Sequence, residues 1–205
     1  SVAALMACGG QTGLGSVFNT APVTQGDSVV VFGCGPVGLC VIMASRIAGA
    51  TSIIAIDTNE MRLALARTLG ASVSLNPLKT QAVSEVLTAT GSGCDLAFEC
   101  VGKVDIMEKA LQSTKPGGKL VIIGAAPEGA HLSIDARFLL EARSVEGSLA
   151  GSVQPRRDYP KWFDLYREGK LPLDKLLTRK YELETVNRAF EEMAAGEVTK
   201  PIVTF

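Results

Sequence analysis

The chain has 205 residues, of which 47% are hydrophobic and 20% charged, a composition that fits an ordinary globular protein and excludes a disordered or fibrous one. Lys and Arg total 20 against 21 Asp and Glu, a formal charge of -1, so nucleic acid and anionic membrane surfaces have no electrostatic footprint to meet. The longest apolar run, near Leu39–Ala44, is too short to span a bilayer.

Taken in order, the text from Ser1 reads as helix without a basic signal region, as though the chain were a piece of something longer. Strands are predicted at 28–32, 52–56, 72–75, 95–100, 119–123 and 144–148. Helices are predicted between them at 37–48, 59–69, 81–88, 104–113 and 135–141. Strand and helix alternate strictly. Val29-Val30-Val31-Phe32 and Ile53-Ile54-Ala55-Ile56 are apolar throughout, as strands buried on both faces must be. Six such units predict an α/β fold built on a doubly wound, parallel, six-stranded sheet. After about Gly151 the alternation breaks. A polar loop at 154–158 precedes helices predicted at 160–168 and 184–195 and a terminal strand at 201–205, read as a segment of a truncated second domain.

Gly33-Cys34-Gly35-Pro36-Val37-Gly38 is a G-x-G-x-x-G sequence between a buried strand and an apolar helix, and Asp57 follows Gly38 by 19 residues at the tip of the next strand. In this context Gly33 permits the tight turn, Gly35 lets backbone approach a pyrophosphate, and Gly38 lets the helix close on the sheet. The helix start at Pro36 and Val37 offers free N–H groups and a positive dipole end to phosphate. Asp57 can accept hydrogen bonds from both adenosine ribose hydroxyls and repel a 2′-phosphate, which selects NAD over NADP. Two other readings use the same residues. In one, the glycines only turn the chain and Asp57 caps the next helix. In the other, the loop serves an S-adenosylmethionine-dependent methyltransferase, although that cofactor has no pyrophosphate to place against the third glycine.

The five cysteines, Cys8, Cys34, Cys40, Cys94 and Cys100, are odd in number and form no C-x-x-C pair, which predicts a reducing, cytoplasmic setting and mostly inert, buried thiols. His131, the only histidine, falls in a loop and is read as a surface residue.

Leu5–Gly15, Val23–Asp27, the glycine loop, Ile56–Asn59, Phe98–Gly102, Val121–Gly124 and Ile202–Phe205 together resemble the zinc-dependent medium-chain alcohol dehydrogenases, most closely the class of alcohol and S-(hydroxymethyl)glutathione dehydrogenases. The resemblance covers the whole chain and implies a Rossmann domain at 10–150, with the end of a catalytic domain at 1–9 and a return to that domain at 151–205. It implies catalytic roles for Cys8, as one ligand of a catalytic zinc whose other ligands precede this sequence, and for Thr12, beside the nicotinamide. For NAD it implies Arg62 at the adenosine ribose and Cys100, Val101 and Lys103 on the adenine side. It also implies Ile123, Gly124, Ala125, Leu149 and Ala150 at the nicotinamide end, and Lys200 toward the pyrophosphate, where Lys keeps the charge of the family's usual Arg but loses its fork. The implied substrate is a small alcohol or aldehyde. The implied assembly is a homodimer or homotetramer, paired through a sheet edge read at 119–123 with 126–134. A non-catalytic NAD-binding module is the alternative from outside enzymology.

Overall fold

The computed structural model describes residues 2–204; Ser1 and Phe205, the first residue of the predicted opening helix and the last of the predicted terminal strand, lie outside the described residues. Strands β1 (Ser28–Phe32), β2 (Ser52–Ile56), β3 (Val73–Leu75), β4 (Cys94–Glu99), β5 (Thr114–Ile122) and β6 (Ser144–Gly147) form one sheet in the order β3-β2-β1-β4-β5-β6. Every pairing is parallel. Parallel neighbours need crossovers, and helices α3 (Pro36–Ala48), α4 (Glu60–Leu69), α5 (Ala82–Thr90) and α6 (Val104–Gln112) supply them.

Alternation along the strands divides the core in two. Val29, Val31, Ile53, Ala55, Phe98 and Val121 face one cluster, with Leu39 and Ile42 of α3 and Leu63 of α4. Val30, Phe32, Ile54, Ile56, Ala97 and Leu120 face the other, with Val86 of α5 and Ala110 and Leu111 of α6. Both clusters are buried, which is why the central strands carry no polar alternation.

Two expectations about the sheet are corrected. The edge on this side of the sheet is β6, not the 119–123 stretch, because β5 has hydrogen-bonded neighbours on both sides. β5 also starts earlier, at Thr114. Its opening Lys115-Pro116-Gly117-Gly118 reads as a turn, yet Thr114 pairs with Cys94 across a register shift before regular pairing resumes at Lys119.

Ahead of the sheet, short helices α1 (Val2–Leu5) and α2 (Gln11–Gly15) flank Cys8, whose φ of 49° breaks the helical path. Beyond it, α7 (Ala136–Leu140) precedes β6, and α8 (Pro155–Arg167) follows. α8 begins five residues before the predicted start: Pro155 opens it and Pro160 lies inside. Its Trp162 joins the same core cluster as Leu14 and Val17. β7 (Leu177–Glu182) pairs in parallel with β8 (Lys200–Thr204) across α9 (Val186–Ala194). Tyr181 of β7 and Arg179 and Arg188 all donate to the buried Glu192 carboxylate, tying α9 to that small sheet.

Candidate functional site: a cleft at the carboxyl ends of β1, β2 and β4

The strand order reverses between β1 and β4, and ligands of open α/β sheets bind at such a switch point, outside the carboxyl ends of the strands. A cleft of about 360 Å³ opens there, lined by Gly33, Gly35, Asp57, Thr58, Arg62, Cys100, Val101 and Lys103, among others. It therefore brings together the loop glycines, the acid, the neighbouring cation and the three residues expected on the adenine side.

The three glycines do different work. Gly33 has φ +92°, and a Cβ there would meet Val101 at 2.8 Å. A Cβ at Gly38 would lie 1.8 Å from the Gly33 carbonyl oxygen, a clash between backbones. At Gly35, the N-cap of α3, a Cβ would meet nothing within 4 Å. That open space lies before a helix N-terminus whose first turn has no intrahelical acceptors, with Pro36 at its start. The residues present thus fit a phosphate group.

Asp57 is 8% exposed. Its Oδ2 accepts the Cys34 N–H at 2.7 Å and its Oδ1 the Asn59 N–H at 2.8 Å. Each oxygen retains lone-pair capacity for a ribose hydroxyl. The cap of α4 is Asn59, not Asp57: the Asn59 side chain accepts from Met61 and Arg62 N–H. Beside Asp57, the Arg62 Nε is buried and without a hydrogen-bond partner among the described residues.

Glu99, to which the sequence reading gave no role, joins two walls of the site. Its Oε1 accepts the N–H groups of Val101 and Gly102, each at 2.8 Å. Its main-chain oxygen accepts those of Ile123 and Gly124, at 2.9 and 3.0 Å. Gly102 and Gly124 are so close that a Cβ on Gly124 would lie 2.1 Å from the Gly102 nitrogen, and one on Gly102 would lie 2.5 Å from the Ala125 carbonyl oxygen. The second carboxylate oxygen is buried and unpartnered among the described residues, and burial pushes this carboxyl above the ordinary range despite the backbone donors. A glutamate closing the apolar run Leu96-Ala97-Phe98 was the available signal.

A second cluster assembles residues expected at the nicotinamide end. α2 carries Thr12, and a Cβ on Gly151 would fall 2.7 Å from the Thr12 carbonyl oxygen, so the turn bearing Leu149 and Ala150 is pressed onto that helix. Ser16 donates to the Thr12 carbonyl at 2.7 Å and meets the Ser148 hydroxyl at 2.8 Å. Thr20 meets Ser148 at 2.8 Å and Ser152 at 2.9 Å, extending the hydroxyl ladder. Leu149 itself is 92% exposed. At the other end of α2, a Cβ on Gly9 would touch Pro36 at 3.3 Å, which seats the exposed Cys8 near the start of α3. Lys200 lies at the head of β8, half-buried, and its charge opposes the effect of burial on Cys40.

Burial pushes Cys40 and Cys94 up to about 12 and raises Cys34 and Cys100 as well. These thiols stay protonated and inert, although Cys100 also lines the cleft. His131 is exposed. No group of three or more His, Cys, Asp or Glu side chains gathers as a metal site among the described residues; Cys8 is a single donor. Among those residues no helix is long and apolar enough to cross a membrane.

A family model described as zinc-binding dehydrogenase matches residues 36–168, more than half of the chain, and the chain belongs to that family. S-(hydroxymethyl)glutathione dehydrogenase of Haemophilus influenzae is 38% identical over 204 residues, covering 98% of this chain and 54% of that protein. Alcohol dehydrogenase-like 2 of Arabidopsis thaliana is 36% identical over 206 residues, covering 98% and 53%. The crystal structure of benzyl alcohol dehydrogenase from Acinetobacter calcoaceticus superposes with a TM-score of 0.95 at 32% identity, covering 98% of this chain and 56% of that one. The chain spans about half the length of the relatives it matches. Family membership sets the methyltransferase reading aside.

Proposed function

We propose that this chain is the NAD-binding part of a zinc-dependent alcohol dehydrogenase, acting on an alcohol and aldehyde pair of the kind its relatives' names describe. The observation that carries the reading is the coincidence, in one cleft, of open space at Gly35, a helix N-terminus and the Asp57 carboxylate. Bound there, the nicotinamide supplies the hydride chemistry. The chain's own residues bind and orient it. Gly33, Gly35, Pro36, Val37 and Gly38 receive the pyrophosphate, with Lys200 adding charge. Asp57 and Arg62 hold the adenosine ribose, and the acid disfavours a 2′-phosphate. Cys100, Val101 and Lys103 flank the adenine. Thr12, Ile123, Gly124, Ala125, Leu149 and Ala150 border the nicotinamide and its ribose.

The described residues do not complete a zinc site. Cys8 is offered as one zinc ligand only, in a site completed by donors outside these 205 residues, because structural and catalytic sites alike draw on three or four protein ligands. Residues 1–9 and 151–205 then belong with a catalytic domain and residues 10–150 with the coenzyme domain. A cytoplasmic, homodimeric or homotetrameric enzyme is part of the same proposal, with β6 the strand edge open to a second copy. The second reading is a non-catalytic NAD-binding module.

NAD binding without turnover by this chain is common to the two readings, and zinc-dependent turnover by a longer protein separates them. The 205-residue chain should bind NAD in a calorimetric titration yet show no alcohol-dependent NAD reduction, with or without added zinc. Within a longer protein that supplies the other ligands, Cys8→Ser should lower both zinc content and turnover sharply. No NAD binding by the chain would sink the cofactor assignment. Unchanged zinc content in Cys8→Ser would sink the ligand assignment.

A further inference from the structure

Asn59 spends every polar group it has. Its N–H goes to Asp57 Oδ1 at 2.8 Å, its Oδ1 accepts from Met61 and Arg62 N–H at 2.9 and 3.2 Å, and its Nδ2 donates to the Gly196 carbonyl at 3.0 Å. The last bond leaves the coenzyme domain's sequence altogether: Gly196 lies in the turn after α9, at φ +76°. A Cβ there would come within 3.0 Å of Asn59 Nδ2, a tight contact at a backbone conformation that residues with a side chain rarely adopt. Four residues farther on, Lys200 starts β8. Asp57 and the first turn of α4 are thus tied through one asparagine to the turn that leads into β8.

We infer that Asn59 is a positioning residue that couples recognition of the adenosine ribose at Asp57 to the placement of the 196–200 turn, so that binding the dinucleotide orders that turn and seats Lys200. The inference rests on the NAD reading above. A helix cap alone would not need the amide, since Ser and Asp cap as well as Asn. Only the amide of Asn59 both caps α4 and donates across to Gly196.

Asn59→Ser keeps a capping oxygen but is too short to reach Gly196. Asn59→Asp keeps the reach and the cap but replaces the donor by an acceptor facing a carbonyl. Both should retain the parent's melting temperature to within a few degrees. The readout is backbone hydrogen exchange, with and without NAD, alongside the NAD dissociation constant. In the parent chain, NAD should slow exchange both in the glycine loop 33–38 and in the 196–200 turn. In either variant, the turn should exchange faster even without ligand, its NAD-induced protection should vanish while that of the glycine loop remains, and the dissociation constant should rise about 3- to 10-fold, the effect of one hydrogen bond. If both variants keep parental protection of the turn, the coupling is overturned although NAD binding stands. If the parent binds no NAD, the cofactor reading fails and the coupling with it. Unchanged exchange in the ligand-free variants would show that Asn59 does not hold the turn.

Discussion

The Asp57 carboxylate accepts the backbone N–H of Cys34 at 2.7 Å, so the residue that follows β2 also fixes the glycine turn that follows β1. The acid proposed to select the cofactor is here a structural acceptor too, and substitutions must be chosen to separate the two roles. Asp57→Asn keeps an oxygen for Cys34 or Asn59 while removing the charge, whereas Asp57→Ser loses reach as well.

In the parent chain NAD should bind at least about tenfold more tightly than NADP, and Asp57→Asn should narrow that gap, because a hydrogen bond to a charged group is worth roughly 1.5–3 kcal/mol. Parallel calorimetric titrations with the two cofactors decide it. Equal affinities in the parent would remove Asp57 from the cofactor site.

Gly35 and Gly38 offer a paired test of fold against binding. Alanine at Gly35 meets nothing within 4 Å, but its methyl occupies the space proposed for phosphate. It should therefore leave the melting temperature nearly unchanged while weakening NAD by an order of magnitude or more. Alanine at Gly38 sits 1.8 Å from the Gly33 carbonyl oxygen and should destabilise the protein itself by several kcal/mol, as overpacking against backbone does. Matching losses of stability in the two variants would contradict this division of labour.

Glu99 sets a pH dependence of definite sign. Its folded-state carboxyl titrates above the ordinary range through burial, so as pH rises past about 4.3 the unfolded chain ionises first and stability falls until the folded form has also ionised. Glu99→Gln removes this drop. The melting temperature of the variant relative to the parent should climb between pH 4 and 7. A difference that stays flat across that interval would mean the carboxyl titrates normally.

Asp158 runs the other way. It accepts from Arg157, Gln154 and Asn19, and the Arg157 guanidinium leads in holding it down at about 2. Its contribution to stability is complete above the ordinary aspartate range and is lost as pH falls from about 4 toward 2. The parent's advantage over Asp158→Asn in urea midpoint should therefore be large at pH 7 and shrink strongly by pH 2.5.

Much of this architecture is legible in the text. β1 and β2 begin and end where their β-branched runs do, and the glycine spacing locates the cleft. The misreadings share one physical origin: lateral order and cross-chain contacts are not encoded in local pattern. Residues 119–123 and the stretch after them resemble the family's pairing edge, while the strand that forms the edge on that side, Ser144–Gly147, carries no mark of its position. Likewise Glu99, Asn59 and Glu192 take their meaning from partners that only folding brings near, and an isolated polar residue in sequence does not name them.

The protein contains one tryptophan. Trp162 is 3% exposed and shares a core cluster with Leu14, Val17 and Ile42, away from the cleft lined by Asp57 and Arg62. Its emission is consequently a private optical gauge of whether α8 remains seated on the sheet's helical layer. A red shift during denaturation that precedes loss of far-ultraviolet ellipticity would time the departure of this helix separately from the melting of the sheet, without any added label.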